Sequence, residues 1–292
     1  MPARVPTEAD FTSLSSILPL TLTWPQPAEL TTSFLILFHG LGDSETPFAS
    51  FAKNMSLPGV LCISVRGTSP LPAALLGTEP GMATGSGSGS GGGGDGGHYF
   101  HWGDDIKVDP STDELDPDPG FTRARDVVLD RLVRHVLLER CGWTTDDVML
   151  FGFGQGGSLA LGLAAALRAG PRVVDVSAST GAASAGKDED EDEDKDKDKE
   201  KKNEKGRKFK GVVSIGGPLP PSLVPSMGSS SRTKSRTPVL VCQLDEEESD
   251  AVREEFAQVE VVRWPREVAM PRDRVEMFPI MKFFAERLKA GW

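Results

Sequence analysis

The chain has 292 residues, 38% of them hydrophobic, and a formal net charge of -11. The acidic balance argues against a nucleic-acid-binding surface, because affinity for phosphate backbones comes mainly from clustered lysine and arginine. The three cysteines, Cys62, Cys141 and Cys242, lie in apolar runs. They predict buried, reduced thiols and argue against a disulfide framework.

The length and the apolar content predict a single domain over residues 1–292. Two flexible insertions are expected within it: a glycine-serine tract at about 84–97, and a charged tract at about 177–208 that has few apolar residues to bury. The N-terminus lacks the pattern of a secretory signal, and no apolar run approaches the roughly 20 residues of a membrane span. We therefore expect a cytoplasmic protein with no membrane span.

Apolar runs and helical stripes alternate along the rest of the chain. Alternating polarity at 18–24 predicts a half-buried edge strand, whereas the continuous apolar run at 33–38 predicts a central strand buried on both faces. Further strands are predicted at 59–65, from 148, and at 211–215, 238–242 and 259–264, and helices at 47–55, 121–140, 155–168, about 250–256 and 273–288. This alternation of strands and helices predicts an α/β fold with a mostly parallel, doubly wound sheet and helices on both faces.

The stretch from Val148 to Ala160 predicts a strand, a sharp turn and a helix of small residues. This is the context of the G-x-S-x-G nucleophile elbow, in which a serine sits above a parallel sheet. Here the frame Gly152-x-Gly154-x-Gly156 has glycine where the serine should be. A nucleophile at this turn adopts a strained positive φ, and glycine tolerates that conformation at little cost. The substitution is therefore expected to leave the fold intact.

Four segments in the same order resemble the phospholipase/carboxylesterase family of α/β-hydrolases, which includes the acyl-protein thioesterases. They are Leu37-Phe38-His39-Gly40-Leu41-Gly42-Asp43, Trp102 with Asp104, Phe151-Gly152-Phe153-Gly154-Gln155-Gly156-Gly157, and Gly211-Val212-Val213-Ser214-Ile215-Gly216-Gly217 with Leu219-Pro220 beyond it. The resemblance implies a single α/β-hydrolase domain that acts without a cofactor or metal. It also implies an oxyanion hole formed by the N-H groups of Leu41 and Gln155, in a pocket that includes His39, Gly40 and Trp102.

In that family a serine attacks the carbonyl, a histidine accepts its proton and an acid orients the histidine. The nucleophile position is Gly154, and Glu247 is the nearest match for the acid, with Asp245 a poorer one. The histidine is expected at 264–271, but the four histidines of the chain are His39, His98, His101 and His135. Two triad members are therefore missing independently of each other.

Other side chains outside the triad positions could supply chemistry or have structural roles. Ser158 could replace the lost hydroxyl, although it lies one helical turn beyond the elbow. His98 and His101 could bind a metal together with Asp95, Asp104 or Asp105, although an i, i+3 pair beside a glycine tract lacks the fixed helix that zinc sites favour. His39 is expected to shape its loop, and Cys242 to pack in the core.

The leading hypothesis is a non-catalytic protein of this fold that binds an acyl chain, a lipidated peptide or a protein partner through the old pocket. The alternative is an active carboxylic-ester or thioester hydrolase with a non-standard nucleophile. A third possibility is a scaffold that uses its surface rather than its pocket.

Overall fold

The computed structural model describes residues 2–72, 99–106, 115–167, 208–225 and 234–289. Apart from residue 208, the two predicted insertions lie outside the described residues, so their predicted flexibility stays a prediction. Within the ranges given, none of the helices combines the length and the apolar character that crossing a membrane requires.

A seven-stranded sheet forms the centre of the molecule, with spatial order β1-β3-β2-β6-β7-β8-β9. Its first strand pairs antiparallel with β3 at one edge, and every other pairing is parallel. The strands are β1 Leu20–Thr23, β2 Ser33–Phe38, β3 Val60–Val65, β6 Val148–Phe153, β7 Gly211–Ile215, β8 Val239–Cys242 and β9 Val259–Val262. All seven predicted strands are thus confirmed, with β1 and β9 at the two edges of the sheet.

A second, two-stranded sheet pairs β4, Ser69–Pro70, with β5, Phe100–His101. The sequence analysis predicted no strand here, because two residues are too few to show alternating polarity. This small ladder holds the segment after β3 against the segment that contains Trp102.

Helices cover both faces of the large sheet, as predicted for a doubly wound fold. Their bounds are α1 Glu8–Phe11, α2 Glu45–Met55, α3 Thr122–Asp126, α4 Gln155–Leu167, α5 Glu246–Glu255 and α6 Arg274–Lys289. The helix that begins with α3 continues over Val127–Arg140 with the wider hydrogen bonding of a π-helix. Short 3-10 turns lie at Thr12–Leu14, Ala28–Leu30, Thr145–Asp147 and Pro221–Leu223.

Each face of the large sheet has its own hydrophobic core. One core joins the sheet to the helix over Val127–Arg140 and to α4, for example through Leu132 and Leu159. The other joins it to α2 and α6, for example through Phe48 and Phe283. Because both faces of β2 and β3 are covered, every residue of those two strands is buried.

The strand order reverses direction between β2 and β6. From β2 the chain continues to β3 on one side, whereas from β6 it continues to β7, β8 and β9 on the other. The loops that leave the carboxyl ends of β2 and β6 therefore diverge, and such a switch point is where open α/β sheets bind ligands. This topology brings the segment after Phe38 beside the segment after Phe153.

Candidate functional site

The turn between β6 and α4 is sharp and centred on Gly154, which has a φ of +51°. Its N-H donates to the carbonyl of Ile215 at 2.8 Å, and its own carbonyl accepts from the N-H groups of Gly157 at 2.8 Å and Ser158 at 3.1 Å. The backbone bonds on both sides hold the residue in the left-handed region that favours glycine.

The three glycines of the elbow have different surroundings. A Cβ at Gly152 would collide with the backbone of Gly156, and one at Gly156 would collide with the carbonyls of Phe38 and His39. A Cβ at Gly154 would meet no atom within 4 Å. Close packing therefore accounts for the two outer glycines, while the nucleophile position faces open space.

That open space is a cleft of about 220 Å³ at the carboxyl edge of the sheet. Apolar residues, prolines and glycines make up most of its lining, and the polar side chains in it are Asp116, Gln155 and Ser158. The remaining lining residues are Leu41, Ile106, Leu115, Pro117, Pro119, Gly154, Gly216 and Pro218. Among these described lining residues there is no histidine and no cysteine.

Leu41, in the loop after β2, and Gln155, at the start of α4, line the same cleft as Gly154. Gln155 is the first residue of α4, where the leading N-H groups have no partner within the helix. A helix N-terminus also favours negative charge through its dipole. The structure thus brings together the two residues whose N-H groups the family resemblance implies for an oxyanion hole.

His39 is fully buried behind the cleft and both of its ring nitrogens are in use. Its Nε2 accepts the N-H of Gly67 at 2.8 Å, so the ring proton lies on Nδ1, which is 2.7 Å from the carbonyl oxygen of Gly40. Burial lowers the pKa of His39 below its usual range, since desolvation penalises the charged ring. The neutral His39 side chain therefore connects the loop after β2 to the loop after β3.

Trp102 connects the two loops of the site. Its indole N-H donates to the carbonyl of His39 at 2.8 Å, and its backbone N-H donates to Oε1 of Gln155 at 2.7 Å. The indole is fully buried and packs edge-on against Phe38. The ring of Phe153 occupies the space that a Cβ on Gly40 would need. Trp102 and His39 therefore shape the cleft from behind without lining it.

The predicted acid position lies at the start of α5. Asp245 accepts the N-H of Glu248 at 2.8 Å, and the Glu248 carboxylate accepts the N-H of Asp245 at 3.0 Å, which is a capping box. Glu247 is exposed in the first helical turn and is not among the described residues that line the cleft. These carboxylates complement the helix N-terminus.

Gln243 directly follows β8 and has a φ of +59°. Nothing in the sequence indicates its role. Its amide NH₂ donates to the carbonyls of Arg266 and Glu267, both at 3.0 Å, and its Oε1 accepts the N-H of Ala269 at 3.2 Å. The expected histidine segment is therefore tied to β8 by a glutamine. No local pattern identifies Gln243, because its three bonds go to residues more than 20 positions away.

The other candidate groups have structural surroundings. Asp104 accepts the N-H groups of Thr122 and Arg123, each at 2.8 Å, and so caps α3. His98 and Asp95 lie outside the described residues, and no group of three or more potential metal ligands occurs among the residues that are described. His101 is buried and Ser158 is 2% exposed at the cleft wall.

All three cysteines are free and buried, which confirms the predicted burial. Burial raises the pKa of the Cys62 and Cys242 thiols to about 12. Because only the thiolate is an effective nucleophile, these groups are inert at neutral pH.

Comparison with known proteins gives relatives of the same fold. No protein-family model matches the chain. It is 32% identical over 153 residues to an uncharacterized hydrolase of Schizosaccharomyces pombe and 28% identical over 145 residues to one of Mycosarcoma maydis. The matched regions span 52% and 47% of this chain, and 54% and 43% of the two relatives. The chain thus matches about half the length of these curated relatives.

Among solved structures, the acyl-protein thioesterase 2 of Zea mays superposes over 92% of this chain and 98% of its own, with a TM-score of 0.54 and 16% identity. Esterase PE8 superposes over 91% and 97%, with a TM-score of 0.53 and 14% identity. At these identities the likeness concerns the fold. The chain is an α/β-hydrolase-fold protein that resembles acyl-protein thioesterases and esterases.

Proposed function

We propose that this chain binds a neutral acyl group, carried by a lipid or a lipidated peptide, and does not hydrolyse it. The observation that carries the proposal is Gly154. It takes the nucleophile position in a correctly formed elbow and puts open space where an attacking hydroxyl would stand.

The cleft suits an apolar ligand with a carbonyl group. Leu41, Ile106 and Leu115 supply apolar surface, and Leu41 and Leu115 are 38% and 39% exposed. Burying such surface is the main favourable term in ligand binding. The first N-H group of α4, that of Gln155, has no partner within the helix and is a donor for a carbonyl oxygen, while Asp116 in the lining disfavours a carboxylate. An ester, thioester or amide therefore fits better than a free fatty acid.

None of the described histidines lines the cleft. His39 has both nitrogens engaged in neutral hydrogen bonds, and His135 lies on an exposed helix face with Glu139 at 3.2 Å. A hydroxyl that no base activates is a weak nucleophile. The cleft therefore supports binding rather than acyl transfer.

The test combines activity and binding measurements on the full chain. We expect no labelling by a fluorophosphonate probe and no turnover of short p-nitrophenyl esters or acyl thioesters above the buffer rate. N-alkyl acyl amides should bind in calorimetry, and Gly154→Leu should abolish that binding. Gly154→Ala is the matched control, because it has the same backbone strain but leaves most of the cleft open.

An active hydrolase is the competing reading, and Ser158 and Asp116 are the groups in the cleft that favour it. Turnover that is lost in Ser158→Ala or Asp116→Asn, with folding preserved, would establish this alternative and overturn the proposal. If instead the chain captures a protein partner equally well with Gly154 and with Gly154→Leu, the surface rather than the cleft is used.

A further inference from the structure

One charged side chain, that of Asp116, lies in the mostly apolar lining of the cleft. The other polar lining residues, Gln155 and Ser158, are neutral, and none of the described lining residues is a lysine, an arginine or a histidine. Asp116 is half-buried and forms no ion pair with a described residue. Taking a charge out of water is costly unless the charge is paired. The lining therefore has a negative charge without a counter-ion.

The wall segment that contains Asp116 is held in place at several points. Oδ1 of Asp116 accepts the N-H of Asp118 at 2.9 Å. The carboxylate of Asp118 in turn accepts the N-H and the hydroxyl of Ser222, at 2.7 Å and 2.5 Å, in the 3-10 turn that follows β7. Pro119 packs against Gly103, where it fills the space that a Cβ would need. These contacts fix the position of the Asp116 carboxylate.

One oxygen of that carboxylate is available to a ligand. Oδ1 holds the N-H of Asp118, whereas Oδ2 has no hydrogen-bond partner among the described residues. An ionised carboxylate only accepts hydrogen bonds, so its partner must be a donor. The N-H of Gln155 is a donor in the same cleft, and the side-chain oxygen of Gln155 is occupied by the N-H of Trp102. The cleft therefore offers a donor for a carbonyl oxygen and a charged acceptor for a cation.

The lining also indicates which kind of cation fits. Quaternary ammonium groups are bound over the faces of aromatic rings, and none of the described lining residues is aromatic. A primary ammonium group is compact and carries three N-H donors. It forms short, charge-assisted hydrogen bonds with a carboxylate. The Asp116 carboxylate therefore suits a primary ammonium better than a quaternary one.

We propose that the cleft selects acyl ligands that carry a primary ammonium group near the acyl carbonyl, and that Asp116 binds this group. The inference rests on the proposed binding function and adds the charge of the ligand. At about 220 Å³ the cleft is smaller than the roughly 300 Å³ at which drug-sized sites begin, so only a few bonds separate the carbonyl from the ammonium. The net charge of -11 adds a general attraction for cations.

The experiment compares charged and neutral hexanoyl amides by calorimetry on the full chain. The cationic probes are the N-(2-aminoethyl) and N-(4-aminobutyl) amides, and the N-propyl and N-pentyl amides are their neutral counterparts. At least one cationic probe should bind about tenfold more tightly than its counterpart, as expected for a hydrogen bond between charged groups. Its trimethylammonium analogue should lose that advantage. Equal affinities of charged and neutral probes, or an advantage retained by the analogue, would overturn the inference.

Asp116→Asn tests the assigned residue, because it removes the charge but keeps an oxygen for the N-H of Asp118. It should abolish the preference for the cationic probe. Asp250→Asn changes the net charge equally at a side chain that is 63% exposed on α5, and it should keep the preference. A preference that persists in Asp116→Asn would show that another group binds the ammonium.

The salt dependence of the wild-type chain gives a second readout that needs no variant. Raising the ionic strength from about 0.01 M to about 1 M should reduce the preference, because salt screens the ion pair and acts equally on the apolar part of both probes. A preference that does not change with salt would contradict an ionic origin.

The lysine of a lipidated peptide and the amine of an amino-alcohol lipid share this chemistry, and two ligands distinguish them. Nα-acetyl-S-hexanoyl-cysteinyl-lysine amide represents the peptide, and 3-aminopropyl hexanoate represents the lipid. Binding of either ligand that depends on Asp116 supports the inference and identifies the carrier. Binding of none of the hexanoyl compounds would refute the proposed function as well, whereas equal binding of charged and neutral amides would refute this inference alone.

Discussion

Gly154 differs from the glycines on either side of it in what a side chain would meet. At Gly152 and Gly156 the backbone of neighbouring segments fills the space, so glycine is required for packing. At Gly154 only the left-handed φ favours glycine, and the space is empty. A small side chain at this one position would therefore meet no neighbouring atoms.

We predict that Gly154→Ser folds but gains no esterase activity. The new side chain has room, and the left-handed backbone costs about 1 to 3 kcal/mol of unfolding free energy. Activity stays absent because none of the described cleft-lining residues is a histidine. Urea unfolding and a p-nitrophenyl ester assay check both points.

Two other glycine variants serve as controls for the stability effect of Gly154→Ser. Gly42→Ser, also at positive φ and with only a 3.7 Å contact at its Cβ position, should lose a similar free energy. Gly156→Ser should fail to fold because of its backbone collisions. Ester turnover by Gly154→Ser alone would show that a base acts on this position after all.

His39 should contribute a pH dependence to stability. Its folded pKa is lowered from 6.5 by burial, so the unfolded chain binds more protons just below that pH. The stabilisation is present above pH 6.5 and is lost as the pH falls through the folded pKa. We predict that His39→Gln, which keeps an acceptor for Gly67, reduces this slope in urea unfolding measured at a series of pH values.

His39→Leu separates titration from hydrogen bonding. It leaves the buried N-H of Gly67 without its acceptor, which costs about 1 to 3 kcal/mol beyond any change in slope. His135→Gln, at an exposed position, should change neither quantity. A wild-type slope retained in His39→Gln would assign the pH dependence to another group, with buried His101 next to be tested.

At the scale of elements, the acidic start of α5 explains a difference from the sequence prediction. The helix was expected from about residue 250, but it begins at Glu246 because Asp245 and Glu248 form the capping box. The three following glutamates complement the positive end of the helix dipole. The cluster that offered a candidate acid is thus explained by the stability of the helix.

The segment before α6 depends on the pair between Arg266 and Glu276. The guanidinium holds the pKa of Glu276 at about 2, well below its ordinary 4.5. A lowered carboxylate pKa stabilises the fold above pH 4.5, and this stabilisation is lost as the pH falls towards 2.

We predict that Glu276→Gln lowers the unfolding free energy at neutral pH and that its deficit relative to the wild type shrinks as the pH falls below 4.5. The reason is that protonation abolishes the same charge in the wild-type chain. Urea unfolding at a series of pH values measures the deficit. Glu286→Gln, whose ion pairs are long and exposed, is the control. A deficit that does not vary with pH would contradict the assigned role of the charge.

At the scale of the whole molecule, the reversal of strand order between β2 and β6 assembles the cleft from distant parts of the chain. Four separate segments of the chain meet at one edge of the sheet and contribute Leu41, Leu115, Gln155 and Gly216. The two buried cores hold that edge rigid from both faces. The cleft is therefore a property of the topology.

We predict that removing residues 187–202, about half of the charged insertion, leaves the stability of the fold nearly unchanged. Halving a flexible loop changes its closure free energy by only about 0.6 kcal/mol. Urea unfolding of the shortened chain tests this. A loss of several kcal/mol in unfolding free energy would mean that the segment packs on the core. Unchanged binding of acyl amides would show that the segment takes no part in ligand binding at the cleft.

The order of strands and helices was predictable because each element has a local apolar period. The seven strands of the large sheet, the elbow and the loop after β2 all follow from runs of fewer than ten residues. Helix starts were less accurate, as for α5, since a cap depends on individual hydrogen bonds. The role of Gln243 could not be predicted because its partners lie more than 20 residues away in the chain.

By itself the sequence determined the α/β class, the elbow with glycine in place of serine, and the lack of a histidine after it, because these depend on residue identity and local spacing. The tertiary structure alone decided that Gly154 faces open space and that both nitrogens of His39 are occupied. Each of those facts is a contact between segments far apart in sequence. Such contacts arise only when the sheet brings its loops to a common edge.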